Sequence, residues 1–463
     1  MVYKKEMQNT ELKRELGLTT AVLVVIASMI GAGIFGTTGY IQEEVQNPLM
    51  VMGLWILGGI VAISGALCYA ELSSTMPHAG GEYVYIKKTF GALPSFLTGW
   101  VSLIVGFSAS AASSALLTSD YAYQVSKILY PGGAIEAFMS DSANRKVFAS
   151  VLVVFFGIFH MSGVKKGGFV QNVLTTLKIL IIVLFTGIGL QLVLGTDRGL
   201  NLGDVFLAGE TRYTGFGVGL LFVMIAYSGW NGATYLAEEI KNPEKNVPRA
   251  LFWGTLFTIV IYFLLNLVYY LSIPVEQMKG MGAVAALSAE NLFGTKASLF
   301  FNLSFIIMLF SSVSVSLMIG PRVYYAMARD HLFFKSVGNI HGKYGTPFAS
   351  IVFQVVLTIL YIVIGKIDEI FAYMGFALSI FPIVTVLGLF VIRKKIPKEQ
   401  IPYKTKFFPL FPLIFISFSI FIMITSFIGR PVESSIALLV VLAGIPVYYS
   451  WTHLSPWAVR EKK

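Results

Sequence analysis

The sequence predicts an all-α integral membrane protein with twelve spanning helices. Three observations carry this. Of the 463 residues, 56% are hydrophobic and only 13% charged, against about 25% charged in a soluble globular domain. The apolar residues gather into runs of about 17–25, the length that crosses the hydrocarbon core as a helix. The basic residues fall mainly on alternate loops, as a multi-pass topology requires.

The runs lie near 19–44, 48–76, 90–119, 147–163, 169–194, 213–237, 249–273, 296–325, 348–365, 370–392, 407–428 and 435–453. The third and eighth run long, which fits tilt or an interfacial extension. Residues 282–293, "GAVAALSAENLF", are too few to span and read as an amphipathic helix on an outer loop. With the N-terminus inside, 24 of the 34 Lys and Arg fall on inner segments and 9 on outer loops, so both termini are expected in the cytoplasm. The same sorting explains the net charge of +10 as membrane orientation, with no call for nucleic acid. The opening "MVYKKEMQNTELKRELG" is too polar for a cleaved secretory signal. Cys68 is the single cysteine and the five histidines are scattered, so no intrachain disulfide, metal site or cofactor is expected.

Gly31 to Gly36, "GAGIFG", fits the G-x-G-x-x-G pattern of a dinucleotide loop. That pattern needs a strand before it and a helix after it. Here it sits in mid-span with no βαβ alternation anywhere, so the nucleotide reading fails. Glycine costs about 1 kcal/mol against alanine in a helix. Three in six residues, followed by Thr37, Thr38 and Gly39, either admit a close neighbour or unwind the helix. An unwound segment exposes backbone groups that ligand, water or protein must satisfy. The sixth run repeats the feature with Ser228, Gly229, Asn231 and Gly232 in mid-span. A pair of interrupted helices, one in each half, points to a midplane site between two inverted repeats.

These segments resemble the amino acid–polyamine–organocation superfamily, in particular its bacterial amino acid permeases and L-type exchangers. The resemblance rests on "IGAGIFGTTG", "CYAELSSTMPHAGGEYVYIKKTFGALPSFLTGW", "AYSGWNGATYLAEEIKNPEKNVPRA" and "GPRVYYAMARDHLFFKSVGNIHGKYGTPFAS", and covers nearly all twelve spans. It implies a LeuT-type fold. A first repeat would occupy 19–194 and an inverted second one 213–393, with two extra helices over 407–454. Cytoplasmic segments 1–18 and 455–463 would flank them. The first and sixth helices would be broken at mid-membrane.

By that resemblance the N–H groups of Ala32 and Gly33 face a substrate carboxylate, and the carbonyl of Met29 accepts from its ammonium. The carbonyls of Ile225, Ala226 and Ser228 complete the cage, with Ile30, Gly31, Tyr227 and Gly229 in the same two segments. Many exchangers carry an aromatic gate where this chain has Ile225. Ser108, with Ser110, is expected to shape the side-chain pocket.

Lys178 stands about nine residues into the fifth run, "NVLTTLKILIIVLF". A charge at mid-membrane costs a few kcal/mol and is read as functional unless it snorkels. The resemblance puts it where sodium-coupled relatives bind Na⁺, tying the fifth helix to the break of the first and to the eighth. It is the candidate ion surrogate or proton carrier. Ser311, Ser312, Ser314 and Ser316 line the path or serve as interhelical glue. Glu71 and Glu82 are expected as structural carboxylates paired with Arg322 or Arg329, and His160 as a satisfied interfacial histidine.

The chain is therefore expected to be a secondary transporter of neutral or modestly polar L-amino acids in the cytoplasmic membrane, and not an enzyme. It would be sodium-independent, an exchanger or a proton symporter, with no obligatory protein partner. A polyamine antiporter of the same fold would want an intramembrane acid for the second ammonium. An amino acid sensor would bind without flux.

Overall fold

The structure is a computed structural model and describes residues 12–195, 211–282, 284–364 and 367–454. The expected N-terminal segment is therefore described only from residue 12, and the expected tail 455–463 lies outside the described residues. Helices occupy each expected span. They are α1 (Leu18–Gly36), α2 (Pro48–Thr75), α3 (Ala92–Leu129), α4 (Ser142–Met161), α5 (Val164–Gly195), α6 (Tyr213–Glu239), α7 (Pro243–Ser272) and α8 (Thr295–Arg329). Then follow α9 (Phe348–Ile364), α10 (Ile367–Lys395), α11 (Leu410–Gly429) and α12 (Pro431–Leu454). Among the described residues ten of the helices are long and apolar enough to cross a bilayer, while α9, with 17 residues, is shorter. The chain is thus a multi-pass membrane protein.

Local chemistry sets the helix starts. Asn47 accepts a hydrogen bond from the N–H of Met50 at 3.1 Å and Pro48 follows it, a side-chain cap with proline at the first helical position. Asp141 caps α4 in the same way through Ala143. The expected amphipathic segment forms a helix over Val284–Phe293, with Val284, Ala285, Ser288, Ala289 and Leu292 buried. That spacing of three and four is one helical face.

The third span runs ten residues past its expected end and carries a π-helical turn at Ser102–Phe107. Such turns re-aim side chains within a helix. This one faces α8.

The helices that carry the two glycine motifs lie inside the bundle. α7 packs along α1 and α2, and α8 along α3 and α5. Beyond Gly36 the chain continues as Thr38–Val45, zipped to α7. Thr38 donates to Asn266 Oδ1 at 2.8 Å, and Tyr270 donates to Gln42 Oε1 at 2.6 Å.

At the opposite end of α1, the N–H of Leu16 donates to the carbonyl of Glu239 at 2.9 Å, and that of Lys241 to the carbonyl of Leu16 at 2.8 Å. These two bonds make a single parallel bridge between Leu16 and Ile240. The segment before α1 is thereby stitched to the residue after α6.

The carboxylate pairing differs from expectation. Glu71, fully buried, accepts two bonds of 2.7 Å from Arg393 at the end of α10 and one of 2.7 Å from the N–H of Thr405. Arg322 instead grips Glu239 with bonds of 2.9 and 3.0 Å, and Arg329 reaches Glu238 at 3.4 Å. Glu82 pairs with no arginine and bonds Asn231. The partners are more than 80 residues apart in sequence, and nothing local in the chain selects one acid for one arginine.

Both members of the Arg322–Glu239 pair are 2% exposed or less. Removing one charge there strands the other, at a cost of about 3–5 kcal/mol. Arg322→Met is therefore expected to lower the melting midpoint of the detergent-purified protein sharply. Arg329→Met, partly exposed, is expected to change it little. His160 is 3% exposed and hydrogen-bonds Ser314 Oγ at 2.9 Å, a satisfied interior histidine.

Candidate functional site

Both glycine motifs are helix breaks. α1 is helical over Leu18–Met29, leaves the helix at Ile30 (ψ 93°) and Gly31 (φ −133°, ψ −157°), and resumes over Ala32–Gly36. α6 is helical over Phe216–Tyr227, turns away at Ser228 (ψ 151°) and Gly229 (φ +96°), and continues as a 3₁₀ helix over Gly232–Glu239.

The two breaks press together. A β-carbon on Gly33 would lie 2.7 Å from Ala226 Cα, and one on Gly229 only 2.5 Å from the carbonyl oxygen of Ser28. Close packing and unwinding, alternatives in the sequence, coexist here. The glycines allow the chain to leave the helix and allow the second break to sit against the first.

Backbone groups released by a break inside hydrocarbon must find partners, and the bundle supplies them. Tyr262 on α7 places its hydroxyl 2.6 Å from the Met29 carbonyl and 3.0 Å from that of Ala226, joining both breaks. Ser228 closes on the Ile225 carbonyl through its N–H (3.1 Å) and its hydroxyl (2.7 Å). The Ile30 carbonyl receives Lys178 Nζ at 2.5 Å and Ser312 Oγ at 3.2 Å.

Lys178 is fully buried. Its ammonium also donates to Ser312 Oγ at 2.9 Å and to the Ala27 carbonyl at 3.4 Å. The lysine thus joins α5, the α1 break and α8. It does not snorkel, because an ammonium held by three oxygens in the interior is not at an interface.

Between the breaks lies a small cavity. Met29, Gly31, Gly33, Ile225, Ala226 and Ser228 line it, and Gly229 lines a second cavity that continues from it. Ile30 and Tyr227 lie elsewhere. Ile30 is fully buried with its carbonyl turned to Lys178. Tyr227 is fully buried and donates to the Trp55 carbonyl on α2 at 3.0 Å. Ala32 opens the second helical piece of α1, whose first N–H groups have no preceding turn to bond.

Ser108, expected in the pocket, is fully buried and does not line the cavity; Ser110, Ser113 and Ser114 do. Their i, i+3, i+4 spacing puts those three on one helical face, a pattern present in "SASAASS". Of the α8 serines, Ser312 and Ser316 reach the cavity, while Ser311 bonds Gln171 and Ser314 bonds His160. Tyr262, tied to both breaks, carries no local sequence signal. The side chains at the cavity between the breaks are serine hydroxyls and apolar groups, which suits a ligand whose charges are met by backbone.

Comparison with known proteins agrees with this geometry. Residues 16–447 match the family described as amino acid permease. The human large neutral amino acids transporter small subunit 2 is 32% identical over 448 residues, covering 96% of this chain and 82% of the relative. The serine/threonine exchanger SteT of Bacillus subtilis (strain 168) is 29% identical, covering 96% and 98%. The human cystine/glutamate transporter is 29% identical, covering 96% and 86%.

Proposed function

The chain belongs to the amino acid permease family of the amino acid–polyamine–organocation superfamily, and from that premise we propose that it carries neutral L-amino acids across the cytoplasmic membrane by alternating access. Both termini would face the cytoplasm, and α1–α5 and α6–α10 would form inverted repeats. The observation that carries the reading is the contact of two helix breaks around a serine-lined cavity. An amino acid zwitterion needs donors at one end and acceptors at the other. N–H groups at Ala32 and Gly33 serve the carboxylate. The second lone pairs of the Met29, Ile225 and Ala226 carbonyls, with the Ser228 carbonyl, serve the ammonium. Head-group recognition is then independent of side chain.

The ammonium of Lys178 gives the Ile30 carbonyl and Ser312 the positive partner that a bound cation would otherwise supply, which supports sodium-independent transport. Hydroxyls of Ser110 and Ser114 at the cavity favour small or hydroxyl-bearing side chains. Relatives named for serine/threonine exchange and for large neutral amino acids are in keeping with a neutral substrate.

The test is uptake of labelled L-amino acids into proteoliposomes in sodium-free buffer, with and without internal amino acid and with and without a pH gradient. Saturable uptake of serine, threonine or alanine is expected. Dependence on internal substrate marks an exchanger. Uptake into empty vesicles driven by an acidic exterior marks a proton symporter. Uptake that requires sodium would overturn the role given to Lys178.

A further inference from the structure

Glu82 has no part in the head-group site, and among the described residues no basic side chain pairs with it. It opens the short helix Glu82–Phe90 between α2 and α3 and is 6% exposed. It lines the second cavity, of about 130 Å³, which shares Ser28, Ser110, Ser228 and Ser316 with the serine-lined one. Its Oε1 accepts from Asn231 Nδ2 at 2.6 Å, and Asn231 lies two residues beyond Gly229, where the 3₁₀ part of α6 begins. Side-chain bonds from Asn231 and Tyr235 therefore connect the loop helix to the part of α6 that follows its break.

We propose that Glu82 is a proton-binding site: its ionised carboxylate latches the C-terminal part of α6 through Asn231 and Tyr235, and its protonation loosens that hold. The proposal rests on the transport reading and names a regulated step within it. An ionised acceptor holds an amide N–H more tightly than a neutral acid does, so one proton changes the strength of the link without removing it.

The groups around Glu82 suit this role. The titratable ones that face it are phenols, Tyr69 from α2, Tyr85 from its own helix and Tyr235 from α6. From α3, Thr98 and Ser102 line the same cavity, and from α10, Phe381 and Pro382, none of them charged. The basic side chains of α8 on this side, Arg322 and Arg329, are engaged by Glu239 and Glu238. Lys87 and Tyr83 are both engaged by Asp330. Burial pushes the Glu82 carboxyl up to about 7, against the opposing pull of hydrogen bonds from Tyr69, Asn231 and Tyr235. The latch is therefore closed above that pH and open below it.

The experiment is amino acid exchange in proteoliposomes with equal pH on both sides, at pH 6 and pH 8, and with substrate binding measured in detergent at both. Exchange is expected to run about fivefold faster at pH 6, the step between a charge-assisted and a neutral hydrogen bond. Glu82→Gln is expected to exchange at the fast rate at both values. Glu82→Asp keeps a pH dependence. Asn231→Ala together with Tyr235→Phe removes the α6 donors of the link and is expected to flatten the profile while leaving the acid in place.

A Glu82→Gln protein that keeps the pH dependence, or loses the same fraction of rate at both values, overturns the latch. Trp230 lines the same cavity beside Asn231, and its fluorescence, with Trp230→Phe as the blank, reads the link without flux. A transition near pH 7 that Glu82→Gln abolishes supports the latch, and its absence in the unmodified protein overturns it. No exchange of any amino acid by the unmodified protein sinks the transport reading instead, and the fluorescence titration still decides the latch.

Discussion

Lys178→Met is expected to abolish amino acid uptake while leaving the protein folded and inserted. Methionine keeps the length of the stem and fits the same buried space, so packing changes little. What is lost is the ammonium and its bonds to Ile30, Ala27 and Ser312. The Ile30 carbonyl then keeps only Ser312, at 3.2 Å, and the break loses its tie to α5. Losing the bonds of a charged donor to buried acceptors costs about 1.5–3 kcal/mol each, and a break weakened by about 3 kcal/mol loses binding by about 100-fold. Binding of labelled substrate in detergent, read beside the melting midpoint, checks this. A fall in binding with a midpoint moved by only a few degrees supports the role. Unchanged binding would show that the lysine serves packing alone.

Gly229→Ala is expected to be nearly as damaging for a different reason. The residue sits at φ +96°, a conformation that L side chains rarely adopt at a cost of about 1–3 kcal/mol. Its β-carbon would also lie 2.5 Å from the Ser28 carbonyl oxygen and 2.8 Å from Ser28 Cβ. The breaks would have to separate, dragging the Ala226 and Met29 carbonyls away from the one hydroxyl that joins them. The contrast is Gly31→Ala. There φ is −133°, which any residue adopts, and the new carbon would meet only Ser312 Oγ at an ordinary 3.6 Å. Uptake by the two variants at equal expression tests the argument. Gly31→Ala should retain most activity and Gly229→Ala should retain almost none; equal losses would refute the geometric account.

Much of this was legible in the sequence because lipid makes patterns blunt. A span needs a fixed length of apolar residues, and each expected run is a helix to within a few residues at most ends. The breaks were legible for the same reason, since glycine and serine in mid-span have few uses. Lys178 stood out because charge inside hydrocarbon needs a partner.

What stayed hidden depends on distances across the bundle. Glu71 chooses Arg393 over Arg322 because the end of α10 and the Thr405 loop cover the end of α2, a matter of tertiary path. Ser108 differs from Ser110 by about half a turn of helix, and both follow the π-helical turn that ends at Phe107. That turn shifts the register of everything after it, and no propensity in "SLIVGF" announces it.

The parallel bridge of Leu16 with Ile240 has a mechanical consequence. The start of α1 and the end of α6 are knotted by two backbone hydrogen bonds, while the middles of the same helices are interrupted. Each helix is therefore a lever with a joint, and the two levers share one handle. A swing of the first half of α1 must carry the last half of α6 with it, or else break both bonds.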